Sequence, residues 1–182
     1  MKRYVLLIAG FTLVATATAA AAFPAERTFG LKAGAIGFTE GAAASLDLER
    51  GSYLGAEVYG RIAERLSLGG EIGYSRLEGS IPLVENELTY IPVELNLKYS
   101  GETRSALDYF LGAGLSYSFV ELEQDCQGTC FAEDEDWVAG AQLFGGVELR
   151  LRKWLFDLEG KYQLSEKDLD NWRMTGKAGF VF

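Results

Sequence analysis

The sequence contains no histidine, which removes every catalytic arrangement built on an imidazole. Beyond residue 23 there is no apolar run of about 20 residues, so no segment can cross a bilayer as a helix. Cysteine is scarce: Cys126 and Cys130 are the only two. Positive charge is also short. Taking away residues 1–22 removes Lys2 and Arg3 and no acid, leaving 15 basic against 26 acidic side chains and a net charge of −11. Such a chain makes a poor nucleic-acid partner, because phosphate binding needs clustered Lys and Arg. What the sequence does hold is 22 glycines and 13% aromatic residues, a mixture that favours close-packed strands over helices.

The N-terminus reads as a targeting segment. Lys2 and Arg3 form a positive start, Tyr4 to Val14 is apolar apart from Gly10 and Thr12, and small residues follow from Ala15 to Ala22. The A-x-A pattern at Ala20-Ala21-Ala22 predicts cleavage before Phe23, with Ala17-Thr18-Ala19 as a second possible site. The apolar part is too short for a comfortable span, and no cysteine lies near it to carry a lipid. The expected organisation is a cleaved secretory signal over 1–22 and one domain over 23–182.

Past the signal, the side chains alternate in steps of two. From Ile91 to Tyr99 one face carries Ile91, Val93, Leu95, Leu97 and Tyr99 against Pro92, Glu94, Asn96 and Lys98. Trp154–Leu164 and Arg173–Phe182 repeat the scheme. Thr28–Phe38, Tyr53–Ile62, Leu66–Leu77, Leu107–Val120 and Trp137–Leu151 follow it with more Gly and Ala. These are eight candidate strands of the length that crosses an outer membrane when tilted. Alternate links are short (Ala63–Arg65, Ser100–Ala106, Arg152–Lys153) and long (Thr39–Ser52, Glu78–Glu87, Glu121–Asp136, Ser165–Asn171). That asymmetry, with an even strand count, predicts an all-β, eight-stranded antiparallel up-and-down transmembrane β-barrel with both termini on the short-turn side.

The polar face carries seven cations (Lys32, Arg61, Lys98, Arg150, Lys161, Arg173, Lys177) and seven anions (Glu57, Glu71, Glu94, Asp108, Glu148, Asp157, Glu159). The opposite face is nearly free of charge, with Arg76 and Glu121 only near strand ends. A soluble barrel would expose that apolar girdle to water, so the girdle is expected against lipid and the matched charges inside, closing the lumen as an ion-pair network. Aromatics gather toward both ends of the apolar face, as two interfacial belts would. Pro92 lacks a ladder donor, which points to a bulge or a locally unpaired position.

At this point the chain resembles the small outer-membrane β-barrel proteins, the OmpA/OmpX-like family. The resemblance rests on the signal peptide, the eight alternating segments, the tract Tyr90-Ile91-Pro92-Val93-Glu94-Leu95, and the ending Gly179-Phe180-Val181-Phe182. It implies Sec-type export to the outer membrane of a Gram-negative bacterium, with lipid bilayer and lipopolysaccharide as surroundings. It also implies that Phe180 and Phe182 form the signal read by the barrel assembly machinery. Outer-membrane barrel enzymes of the protease, phospholipase, deacylase and palmitoyltransferase kinds rely on a catalytic histidine, so no enzyme and no cofactor is expected here.

Two features remain. Cys126 and Cys130 form a C-x3-C pair in an oxidising compartment, which favours a loop disulfide over a metal site lacking further Cys or His ligands. The acidic stretch Glu121–Asp136 holds seven carboxylates and no Lys or Arg. It reads either as a solvated, repulsive loop or as a site for a divalent ion or cationic ligand, although its spacing matches no calcium loop. Asp157 and Glu159 share a face as a catalytic pair would, but the interleaved Lys and Arg favour a structural network. The expected role is surface loops on a rigid barrel, serving adhesion to a host or envelope protein or membrane integrity. The alternative is a narrow porin-like channel for small solutes.

Overall fold

A computed structural model describes residues 26–39, 48, 50–81, 84–101, 106–126 and 131–182. The signal reading of residues 1–22 and the Cys126–Cys130 bridge lie outside what is described. Strict alternation gives eight strands: β1 (Arg27–Phe38), β2 (Arg50–Arg61), β3 (Leu66–Ile81), β4 (Val84–Gly101), β5 (Leu107–Cys126), β6 (Phe131–Leu151), β7 (Trp154–Ser165) and β8 (Asn171–Val181). One 3-10 turn, Glu166–Asp168, joins the last two. Each strand pairs antiparallel with the next, and β8 closes on β1.

Followed from partner to partner, Thr28 meets Tyr59, Gly69, Asn96, Gly114, Gln142, Gln163 and Asn171, and the path returns to β1 at Phe38, ten residues on. Eight strands with that stagger tilt by roughly 40° and enclose a cylinder just wide enough for side chains to fill. The start of β1 and the end of β8 meet at the short-turn side, where Arg27 and Phe182 exchange backbone hydrogen bonds of 3.1 and 2.9 Å.

Outward positions are apolar and exposed: Leu31 58%, Leu115 64% and Leu158 67%. In water such a continuous girdle would far exceed the few hundred Å² a monomer tolerates. Aromatic pairs mark both ends of it, Tyr117 stacked on Trp137 at 4.9 Å and Trp154 against Phe180 at 5.9 Å.

Two links differ from their sequence reading. β5 and β6 run for 20 and 21 residues, about twice what an outer membrane requires. Most of Glu78–Glu87 and of Glu121–Asp136 is therefore strand rather than loop. The alternation continues there with its polarity reversed, acids outward and leucines inward, so a search for outward apolar residues stops too early.

Pro92 points into the barrel. The β3–β4 ladder stops at Ile72–Val93 and resumes at Ser75–Tyr90 in unchanged register. There is no bulge; the ladder is open at the missing donor. On the other side Pro92 pairs normally with Ser118. Gly73, opposite the gap, is required by close approach, because a Cβ there would meet the Tyr53 hydroxyl.

Candidate functional site

The lumen is layered. At mid-height the Lys32 ammonium lies 2.7 Å from Glu57, 2.8 Å from Glu71 and 2.8 Å from Glu159. Lys161 reaches Glu71 at 2.8 Å and Glu94 at 2.6 Å. Lys177 joins Glu57 at 2.7 Å to Asp157. Arg173 pairs with Glu94 at 2.5 Å and donates to the Tyr53 hydroxyl and to the side-chain carbonyls of Gln142 and Gln163. Ions taken out of water are tolerated only when partners surround them, and shared carboxylates knit β1, β2, β3, β4, β7 and β8 into one cluster.

Toward the short-turn mouth, Lys98 pairs with Glu148 at 2.9 Å while its ammonium lies over the Tyr59 and Phe110 rings. The rim is formed by Glu26, which holds Arg150 at 2.7 Å and Arg61 at 3.3 Å. Of the fourteen charged residues assigned to the polar face, eleven are buried. Arg61, Asp108 and Arg150 are half-buried near the short-turn mouth. Asp157 and Glu159 are held apart by different cations, Lys177 and Lys32. Phe180 and Phe182 stack at 6.5 Å on the outer surface.

Above the ions lies a neutral polar layer that the sequence reading missed. The Tyr90 hydroxyl accepts from Ser118 and Gln163, each at 2.9 Å. Higher still is an apolar cap of Ile36, Phe38, Leu48, Leu77, Leu88, Val120, Val138 and Leu169. Its strand residues continue the inward period of Lys32, Glu71, Glu94 and Gln142. The signal is the period itself, which runs on through uncharged residues.

The upper parts of β3, β4, β5 and β6 continue past the girdle as a four-stranded sheet. In register, the row Ile91–Phe119–Trp137 is the last apolar one on the outer face. The next row is Arg76–Thr89–Glu121–Glu135, and the one after it is Glu78–Glu87–Glu123–Glu133. Glu78, Glu87 and Glu123 thus stand side by side across three strands, and the register brings position 133 of β6 into the same row. Like charges directly opposite each other are destabilising. Arg76 answers part of this, at 2.5 Å from Glu87 and 3.5 Å from Glu78. Behind this face Leu77, Leu88 and Leu122 point into the apolar cap. Among the described residues, no three carboxylates converge to hold a metal ion.

No protein-family model and no curated protein matches the chain. Solved structures do. Neisserial surface protein A superposes with a TM-score of 0.60 at 17% identity, over 86% of this chain and 97% of that one. The attachment invasion locus protein Ail of Yersinia pestis gives 0.61 at 11%, over 87% and 99%. The outer-membrane protein OprG of Pseudomonas aeruginosa gives 0.57 at 15%, over 85% and 95%. The fold is that of the small eight-stranded outer-membrane barrels. At these identities the likeness is one of architecture. It covers nearly the whole of each barrel, so this chain has the dimensions of that class, with β3 to β6 prolonged beyond the girdle.

Proposed function

We propose that this chain is an outer-membrane protein of a Gram-negative envelope, a sealed barrel that holds a contact surface for a positively charged partner. The observation that carries the reading is the pair of outer-face rows above Trp137, in which Glu78, Glu87, Glu121, Glu123 and Glu135 stand in register beside Arg76. A surface that keeps such repulsion in register is suited to a basic segment of a host or envelope protein, and the repulsion selects against acidic partners. The layered lumen supports a scaffold rather than a channel, since ions, amides and leucines succeed one another inside the cylinder. Signal residues 1–22 would direct export, and Phe180 and Phe182 would be read by the assembly machinery. A Cys126–Cys130 bridge would staple the tip of the β5–β6 hairpin.

The test uses the refolded full barrel and a fluorescent hexalysine peptide. Binding should be saturable, should weaken as salt is raised, and should fall at least tenfold when residues 122–135 are replaced by a two-residue turn. Equal affinity for intact and shortened barrels would end the reading. Planar-bilayer recordings test the seal: steady, large single-channel steps would favour the narrow-channel alternative.

A further inference from the structure

We propose that the outer wall over β7, β8 and β1 holds one phospholipid, with its acyl chain in an apolar groove and its phosphate at Arg152 and Lys153. This rests on the membrane reading above. Along one register row the wall runs Leu158, Gly176, Ala33, Leu54, two small positions between two large ones. Ala178 extends the floor toward the short-turn side. The result is an open groove of about 690 Å³ that continues past Leu158 to Val147, Leu149 and Leu107 on β6 and β5. Leu158 and Leu54 flank its small positions, 67% and 59% exposed. In a bilayer such a trough must be filled, because a void forfeits dispersion contacts along its whole lining.

What fills it is indicated by the polarity of the wall below. Moving toward the short turns, the groove gives way to the Trp154–Phe180 pair at 5.9 Å, rings of the kind that mark headgroup depth. Next comes the two-residue β6–β7 turn. The Lys153 carbonyl accepts the Val181 N–H at 2.8 Å, which fixes the turn beside the end of β8. The Lys153 ammonium lies 5.8 Å over the Phe180 ring. Arg152 and Lys153 are exposed, and among the described residues no carboxylate pairs with either. Hydrocarbon trough, aromatic step and two unpaired cations follow one another in the order tail, glycerol, phosphate. Lipid A also offers acyl chains and phosphate. The cations lie at the short-turn end, which faces the inner leaflet in the proposed orientation, and that favours a glycerophospholipid.

Native mass spectrometry of the full barrel, released from detergent after incubation with phosphatidylglycerol or with lipid A, tests the assignment. A Cβ on Gly176 would find only Leu158 at 3.8 Å and the Asp157 carbonyl at 3.9 Å, so Gly176→Leu fills the groove without displacing backbone. Gly160 lies on the same wall outside the groove with nothing within 4 Å of its Cβ, and Gly160→Leu is the matched control. The wild type and Gly160→Leu should each retain one phosphatidylglycerol. Gly176→Leu, and separately Arg152→Glu with Lys153→Glu, should lower that occupancy at least tenfold. Equal retention by Gly176→Leu and Gly160→Leu overturns the groove. Lipid A retention that Gly176→Leu abolishes overturns the choice of lipid. If the leaderless chain is monodisperse in water without detergent, the membrane reading itself has failed. If it needs detergent and the two glycine variants behave alike, only the groove has.

Discussion

A single strand, β5, changes the character of both its faces along its length. In its lower part Leu111, Leu115 and Tyr117 point outward, 62%, 64% and 54% exposed, while Ser116 and Ser118 are buried inside. Four residues further the faces exchange character: Glu121 and Glu123 lie outward, and Val120 and Leu122 belong to the apolar cap. The backbone alternation never changes phase. Under the membrane reading proposed above, what changes is the medium outside, hydrocarbon below Phe119 and water above it, which would make the barrel inside out and the projecting sheet ordinary. The exchange falls on one register row across β4, β5 and β6, Ile91–Phe119–Trp137.

The sharpest way to break this contrast is to remove a lumen cation. Lys32→Ala would leave Glu57, Glu71 and Glu159 facing one another in a buried site. Breaking a buried ion cluster from one side costs about 3–5 kcal/mol, and urea unfolding in lipid vesicles reads it directly. A loss below about 1 kcal/mol, the value of an exposed pair, would mean that the ions do not hold the cylinder together. Next in size is a charge on the wall. Leu115→Arg should cost about 2–4 kcal/mol if this position lies near the bilayer midplane. Glu123→Arg, on the same face of the same strand, should be neutral or stabilising, because it relieves a row of glutamates. Equal penalties for the two would put both positions in one solvent and erase the boundary.

The lower barrel was legible because its two faces differ in charge, and charge is visible residue by residue. Eight segments and the inward place of Lys32, Glu94 and Arg173 follow from period two alone. The projecting sheet was hidden by the same rule applied with a fixed sign: Glu121, Glu123 and Glu135 read as loop because apolar residues were sought at outward positions. The Tyr53 and Tyr90 layer was missed because its serines, glutamines and asparagine carry no charge to follow. Lateral neighbours are a separate matter. That Gly176 borders Ala33, or that Glu78, Glu87 and Glu123 share a row, depends on the stagger of ten between strands, and no single strand encodes it.

Smaller in effect is Arg76→Ala, which removes the guanidinium between Glu78 and Glu87 at the edge of the acidic face. Its side chain is 51% exposed, so the change in stability should stay below about 1 kcal/mol. Hexalysine binding should nevertheless strengthen, because one competing cation is gone. Weaker binding would show that the acidic rows are not the contact surface.

The smallest effect is expected where the two regions are tied together. Lys167, in the β7–β8 connection, donates to the Asp136 carboxylate, which also accepts the Trp137 N–H at 2.8 Å. Both contacts hold the Asp136 carboxyl below its ordinary value of 3.8, the Lys167 hydrogen bond more than the backbone one. An acid so depressed contributes stability that is complete above its ordinary value and is lost as pH falls through the lower, folded one. Lys167 and Asp168 have φ of 62° and 54°, a conformation that non-glycine residues keep only under restraint, so the connection should loosen when the contact goes. Hydrogen-exchange protection of the Trp137 amide should therefore drop in acid while that of Leu115 in the girdle persists, and Asp136→Asn should abolish the pH step. A Trp137 amide equally protected in both proteins across that range would show that the connection is held by Leu169 in the apolar cap and not by the ion pair.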